Sequence, residues 1–109
     1  MLEPLLGSSV KEKILLYLQE CDEGYALEIA KNFGFSISMI QFHLKKLEDD
    51  SVVVSKLMGK TRIFLLNPRY IFYTQLVSLL DKAIQLLPPT EIQKYYRPRK
   101  RPRRTGKPL

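Results

Sequence analysis

Along the stretch SISMIQFHLKKLEDD, Ser38, Gln41, Phe42, Lys45 and Asp49 recur at helical spacing, opposite an apolar face of Ile37, Ile40, Leu44 and Leu47. An amide that donates and accepts at once, an aromatic ring and an ammonium group suit noncovalent recognition of an extended partner. They do not suit bond making. No nucleophile–base pairing and no phosphate loop is evident in the sequence, and the GSS at Gly7 to Ser9 has no D-x-D pair after it. Cys21 is the single cysteine, which excludes an internal disulfide and a cysteine-rich metal cluster. A lone cysteine of this kind is expected to be a small buried hydrophobe. His43 has no companion His, Cys or carboxylate at ligand spacing and is expected to make a structural hydrogen bond. Neither an enzyme nor a bound metal or cofactor is expected.

A second chemical feature is the run RPRKRPRRTGKPL, Arg97 to Leu109, in which seven residues are basic and none is acidic. The chain holds 18 Lys and Arg against 11 Asp and Glu, so setting those seven aside leaves 11 against 11. The whole excess of +7 therefore belongs to Arg97, Arg99, Lys100, Arg101, Arg103, Arg104 and Lys107. Such asymmetry points to an anionic polymer as partner, with an anionic membrane surface second. Prolines at 98, 102 and 108 favour an extended chain, and arginine is the side chain preferred in narrow minor grooves. The bland alternative is a solvated charged terminus. No apolar run of about 18 residues is present to span a bilayer and no leader pattern opens the sequence, so a cytosolic location is expected.

The elements that must position these groups follow from spacing. Ser9 and Glu12 have capping-box spacing, and Val10, Ile14, Tyr17, Leu18 and Cys21 continue one helical face to about Cys21. ALEIAKNF gives a short helix with Leu27, Ala30 and Phe33 inward and Gly34 as its C-terminal glycine. Ser36 caps a third helix to about Asp50, with Ile37, Ile40, Leu44 and Leu47 buried. VVVSKLMGKTRIFLLN reads as a hairpin turning at Met58-Gly59-Lys60, where Gly59 supplies the positive φ of a tight turn. Asn67-Pro68 opens a long helix to about Leu87. It is apolar on more than one stripe, which marks Phe72, Leu76, Leu80, Ile84 and Leu87 as a dimer interface. Pro88-Pro89 stops it, TEIQKYY adds a short helical turn, and the basic tail follows.

GFSISMIQFHLKKLEDDSVV resembles the recognition-helix signature of the arsenic-repressor-like (ArsR-like) winged-helix family. The match runs through Gly34, Phe35, Ser36, Ser38, Ile40, His43, Leu44, Lys45, Leu47, Val52 and Val53, inside a likeness from about Leu6 to Asn67. Ser51 departs from it, standing where a glycine usually ends the helix. The metal-sensing members carry a Cys-containing box, and Ala26 to Phe33 offers only Glu28, so the resemblance is to the type that senses no metal. It implies roles residue by residue. Ser36 caps the helix and can donate to a phosphate. Ser38, Met39, Gln41, Phe42 and Lys45 face the DNA groove, with Gln41 pairing to an adenine edge and Phe42 and Met39 packing on thymine methyls. Lys45, Lys60 and Arg62 supply phosphate contacts.

The expected fold is mainly α with a β-hairpin wing: a winged helix-turn-helix over residues 6–67, a dimerisation helix over 68–87 and a Pro/Arg-rich tail over 88–109. The expected function is that of a homodimeric, sequence-specific duplex-DNA-binding transcriptional regulator of prokaryotic type, cytoplasmic and nucleoid-associated, most simply a repressor. In that role Arg97, Arg99, Lys100, Arg101, Arg103 and Arg104 add affinity. Two rivals share these features: a winged-helix adaptor that docks on proteins, and an RNA- or ribosome-associated basic protein.

Overall fold

The computed structural model describes residues 1–97 of the 109-residue chain. Arg99, Lys100, Arg101, Arg103 and Arg104 lie outside the described residues. Eight elements follow one another: α1 (Glu3–Leu6), α2 (Ser9–Cys21), α3 (Ala26–Phe33), α4 (Ile37–Asp49), β1 (Val53–Met58), β2 (Thr61–Leu66), α5 (Tyr73–Leu86) and α6 (Pro89–Tyr95). This is the expected class, mostly helical with one two-stranded antiparallel hairpin. No helix among the described residues is long and apolar enough to cross a membrane.

Helix α2 is the centre. Ile14, Leu15, Leu16, Tyr17, Leu18 and Cys21 are all buried, and α1, α4, α5 and β2 pack around them. A helix apolar on so many sides has no stable place on a surface. Its cap is Ser8, not Ser9: the Ser8 hydroxyl accepts from the Lys11 N–H at 3.2 Å, and Ser9 is the first helical residue. The expected capping box does not form, because Glu12 is turned inward. There it accepts from the Leu2 N–H at 3.1 Å and lies 3.6 Å from the terminal amine, so it holds α1 on α2. Helix α1 is bounded by two residues suited to helix ends, Pro4 near its start and Gly7 beyond its end.

The α3–α4 unit forms as expected, with corrections to the buried set. Gly34 adopts φ +76° and both its N–H and that of Phe35 return to the Ala30 carbonyl, which turns the chain sharply into α4. Ile29 and Ala30 face the core, whereas Leu27 is exposed. On α4, Ile40, Leu44 and Leu47 are buried but Ile37 is 41% exposed. Both residues fall in a helix's first turn on the side toward the wing, where neighbouring described residues cover them only in part. After α4, Ser51 takes φ +67°, the left-handed conformation for which glycine is the unstrained residue. The departure from the family pattern is thus a serine held where the backbone still turns as glycine would.

The hairpin pairs Val53 with Leu66 through Met58 with Thr61 and turns at Gly59-Lys60. Gly24 adds an isolated bridge to Phe64, exchanging two backbone hydrogen bonds of 3.0 and 2.8 Å, and so ties the wing's root to the loop before α3. Beyond the hairpin, Pro68 does not begin a helix. The Asn67 side chain accepts from the Arg69 N–H and donates to the Ser51 carbonyl, and turns closed by Tyr70 and Tyr73 carry the chain to α5. An Asx turn competes with helix initiation at this point.

Leu80 is fully buried within its own chain, so it cannot be part of a dimer surface as expected. Leu76, Ile84 and Leu87 are half-buried against the same core, and only Phe72 of the expected set is broadly exposed. Residues 89–96 also belong to the folded body: Tyr96 is 1% exposed, and burial, followed by the charges of Glu91 and Glu12, raises its phenol above the ordinary tyrosine range.

A Cβ on Gly24 would stand 2.8 Å from Tyr17 Cε1, with the Ile29 side chain 3.4 Å away. Gly24→Ala is therefore expected to cost about 1–3 kcal/mol of stability through overpacking. The urea midpoint should fall with an unchanged denaturant slope.

Candidate nucleic-acid interface

Ser36 sets the start of α4: its hydroxyl accepts from the Met39 N–H at 3.2 Å and lies 3.5 Å from that of Ser38. With Ile40, Leu44 and Leu47 fixed in the core, helical geometry leaves Ser38, Met39, Gln41, Phe42 and Lys45 outward, and all five are exposed. These side chains do not form one stripe. Gln41 and Lys45 turn toward the wing, while Phe42 lies a third of a turn away and is 59% exposed.

Between the first turn of α3, the wing side of α4 and the hairpin tip lies an open cleft of about 620 Å³. It gathers Gln41, Lys45, Lys60 and Arg62, four residues drawn from the expected set, over an apolar floor that includes Tyr25, Leu27 and Ile37. The two unexpectedly exposed aliphatics therefore line the same cleft. Among the described residues Lys45 is held by an exposed 3.5 Å pair with Asp49, a kind of contact that contributes little and releases the ammonium readily.

Arg62 is more constrained. Its Nη1 donates to Ser55 Oγ at 2.9 Å, and that hydroxyl donates to Glu48 Oε2 at 2.5 Å. This chain struts the wing against α4 and leaves most of the guanidinium's five donors available. Ser55 and Glu48 are positioning residues that sequence reading missed, since partners seven residues apart across a turn leave no periodic signal. Lys46 was also passed over. Its Nζ sits 5.6 Å from the Phe42 ring centroid, a cation–π contact on the outer side of α4, and the i, i+4 spacing was the available sign.

His43 does not make the expected structural hydrogen bond. Its Nδ1 is buried without a hydrogen-bond partner among the described residues, and its ring stands edge-on to Phe42 at 5.3 Å. Burial, then the charges of Lys11 and Lys46, hold its pKa below the ordinary histidine value. Cys21 is buried as expected, with its thiol 3.2 Å from the Arg97 carbonyl. No cluster of metal-ligating groups occurs among the described residues. Of the expected tail cations only Arg97 is described, and it is exposed.

An α-helical pair joined by a tight glycine turn, backed by a hairpin that projects beside the second helix, is a winged helix-turn-helix. Known structures agree at the level of fold. The YusO protein from Bacillus subtilis superposes with a TM-score of 0.60 at 17% identity, covering 85% of this chain and 74% of that one. The apo form of a double mutant of ZitR from Lactococcus lactis gives a TM-score of 0.58 at 17% identity, covering 84% of each chain. No protein-family profile and no curated protein sequence matches the chain.

Because the fold lowers the His43 pKa, the neutral ring is the form it favours. Stability should be complete above the unfolded histidine value near 6.5 and fall as pH drops from there toward the lower folded value. Urea titrations at successive pH values should show this slope, and His43→Phe should remove it.

Proposed function

We propose that this protein is a sequence-specific duplex-DNA-binding transcriptional regulator of the ArsR-like kind that senses no metal. It acts as a homodimer and, by the habit of that family, as a repressor. The observation that carries this reading is the cleft that collects Gln41, Lys45, Lys60 and Arg62 between α4 and the wing. A helix in a major groove of about 12 Å width leaves one phosphate strand passing between it and the wing, and this cleft offers that strand three cations. Gln41 then meets a base edge from within the groove. Phe42 and Met39, exposed on the other side of α4, suit thymine methyls. Ser36 and Ser38 contribute short hydroxyl contacts at the helix start. Cations from the cleft fix register, and the amide and apolar contacts choose sequence.

Dimerisation is assigned to residues 68–87, with the exposed apolar groups of that segment as its seam. Ile71 is 81%, Phe72 57% and Leu86 62% exposed, a concentration that water tolerates poorly. Leu76, Ile84 and Leu87 contribute their uncovered edges. Two copies related by a twofold axis would place their α4 helices in half-sites about one helical turn apart. Arg97 and the tail cations Arg99, Lys100, Arg101, Arg103 and Arg104 add affinity to a body that is otherwise neutral.

Selection of bound fragments from random duplex DNA should yield a pseudo-palindromic motif. With that motif in hand, Gln41→Ala should lose about 1–3 kcal/mol of discrimination at one or two base pairs. Lys60→Ala should instead weaken all duplexes alike and flatten the log K against log salt slope by about 0.9. A motif unchanged by Gln41→Ala would displace α4 from the groove.

Phe72→Glu should give monomers in sedimentation at tens of micromolar while the thermal unfolding transition stays near its original position. Leu80→Glu should unfold the chain, since that side chain is core. A wild-type monomer at the same concentration would remove the homodimer from the reading.

A further inference from the structure

The cleft between α3, α4 and the wing holds more than the cations that suit a phosphate strand. Leu27 and Ile37, both exposed, lie in it together with Tyr25, and the buried Phe64 ring also lines it. Two branched aliphatics give a phosphate no donor, and they leave apolar surface in water that binding to a DNA backbone does not require. Around this floor stand Lys45, Lys60 and Arg62, against one lining carboxylate, Glu48. Glu48 is already engaged. It accepts from the Ser55 hydroxyl, whose oxygen accepts from Arg62 Nη1 at 2.9 Å. That strut fixes the guanidinium and leaves it donors in a planar fork, the geometry that a carboxylate accepts bidentately. At about 620 Å³ the cleft falls within the size of small-molecule sites, roughly 300–1,000 Å³, which are mostly apolar with a few placed polar groups.

From this pairing of an apolar floor with a cationic rim, we infer that the cleft binds a small carboxylate that carries an apolar body. The carboxylate sits on Arg62 and Lys60, and the body lies on Leu27, Ile37 and Tyr25. One anionic head is specified, because a second at the far end of the body would rest on aliphatic side chains without a donor. A neutral molecule of the same shape leaves the cations unanswered, and a small anion without a body leaves the floor wet. Charge and apolar area must come from one molecule. The consequence for regulation rests on the DNA-binding reading above. Ligand and phosphate strand claim the same cations, so each excludes the other, and the carboxylate releases the protein from its duplex. Such an effector needs neither a second site nor a change of shape, since it competes within the cleft itself.

The probe is 2-naphthoate, titrated into the isotope-labelled full chain, with 2-naphthylmethanol and acetate as its neutral and bodiless counterparts. Amide resonances of residues 25–27, 37–41 and 60–62 should shift and saturate in the sub-millimolar range. The alcohol should bind at least about tenfold more weakly, because it cannot answer the guanidinium with charge, and acetate should not saturate. Arg62→Gln should bring naphthoate down to the level of the alcohol. Leu27→Gln should weaken naphthoate roughly fivefold through lost apolar contact. On the selected operator, naphthoate at twice its Kd should raise the half-saturating protein concentration at least about threefold, and the alcohol at the same concentration should not. Equal binding of acid and alcohol, or shifts centred away from the cleft, would overturn the site. Naphthoate seated in the cleft with an unchanged operator titration would overturn its regulatory role. A chain that binds no duplex at all sinks the regulator reading instead, and the naphthoate titration, made on free protein, still decides the cleft.

Discussion

Burial of α2 from several directions is the constraint on which the other elements depend. Six of its apolar side chains are covered by α1, α4, α5 and β2, and burying each aliphatic among them contributes about 1.5–3 kcal/mol. No single neighbour could cover them. The hairpin is therefore a structural wall before it is a wing, with Phe64 and Leu66 turned onto the core and Leu57 and Arg62 carried beyond it on the same strand face. Helix α4 likewise gives its apolar side to α2, α3 and β1 and leaves the opposite side to solvent. What is exposed on α4 is exposed because packing on α2, α3 and β1 has fixed its rotation.

That dependence explains what could be read from sequence. Ile40, Leu44 and Leu47 recur with the helical period and their burial followed, as did the turn at Gly34 and the hairpin pairing. Local competition was harder to see. Ser8 and Ser9 are equivalent as caps until Glu12 is pulled inward by the backbone of Leu2. Asn67 prefers its own turn to starting α5, and no spacing rule weighs one against the other. Leu80 has the same pattern as Ile84, and only the position of α2 against α5 puts the first wholly inside and leaves the second at the edge. The candidate site was legible as residue types on α4 and the hairpin tip. Its convergence into one cleft, and the Arg62–Ser55–Glu48 strut that holds the wing there, are tertiary facts.

Charge and shape are divided unusually between the parts. The body has as many acidic as basic residues, so at long range it presents no attraction to a polyanion, and the cations of its cleft act only at contact distance. Long-range attraction belongs to the segment after Tyr96. On the proposed DNA-binding reading, encounter and discrimination fall to different stretches of the chain, which meet at Tyr95 and Tyr96.

That junction also orders the assembly of the protein in time. Phe33 and Asn32 are made before their partners Tyr95 and Tyr96, which lie more than sixty residues later, and Cys21 waits longer still for Arg97. Until that stretch has left the ribosome, the end of α3 displays an aromatic ring and an amide without their native covers. The helix-turn-helix is thus translated well before it is completed, since the end of α3 gains its last covers only when residues 95–97 have emerged.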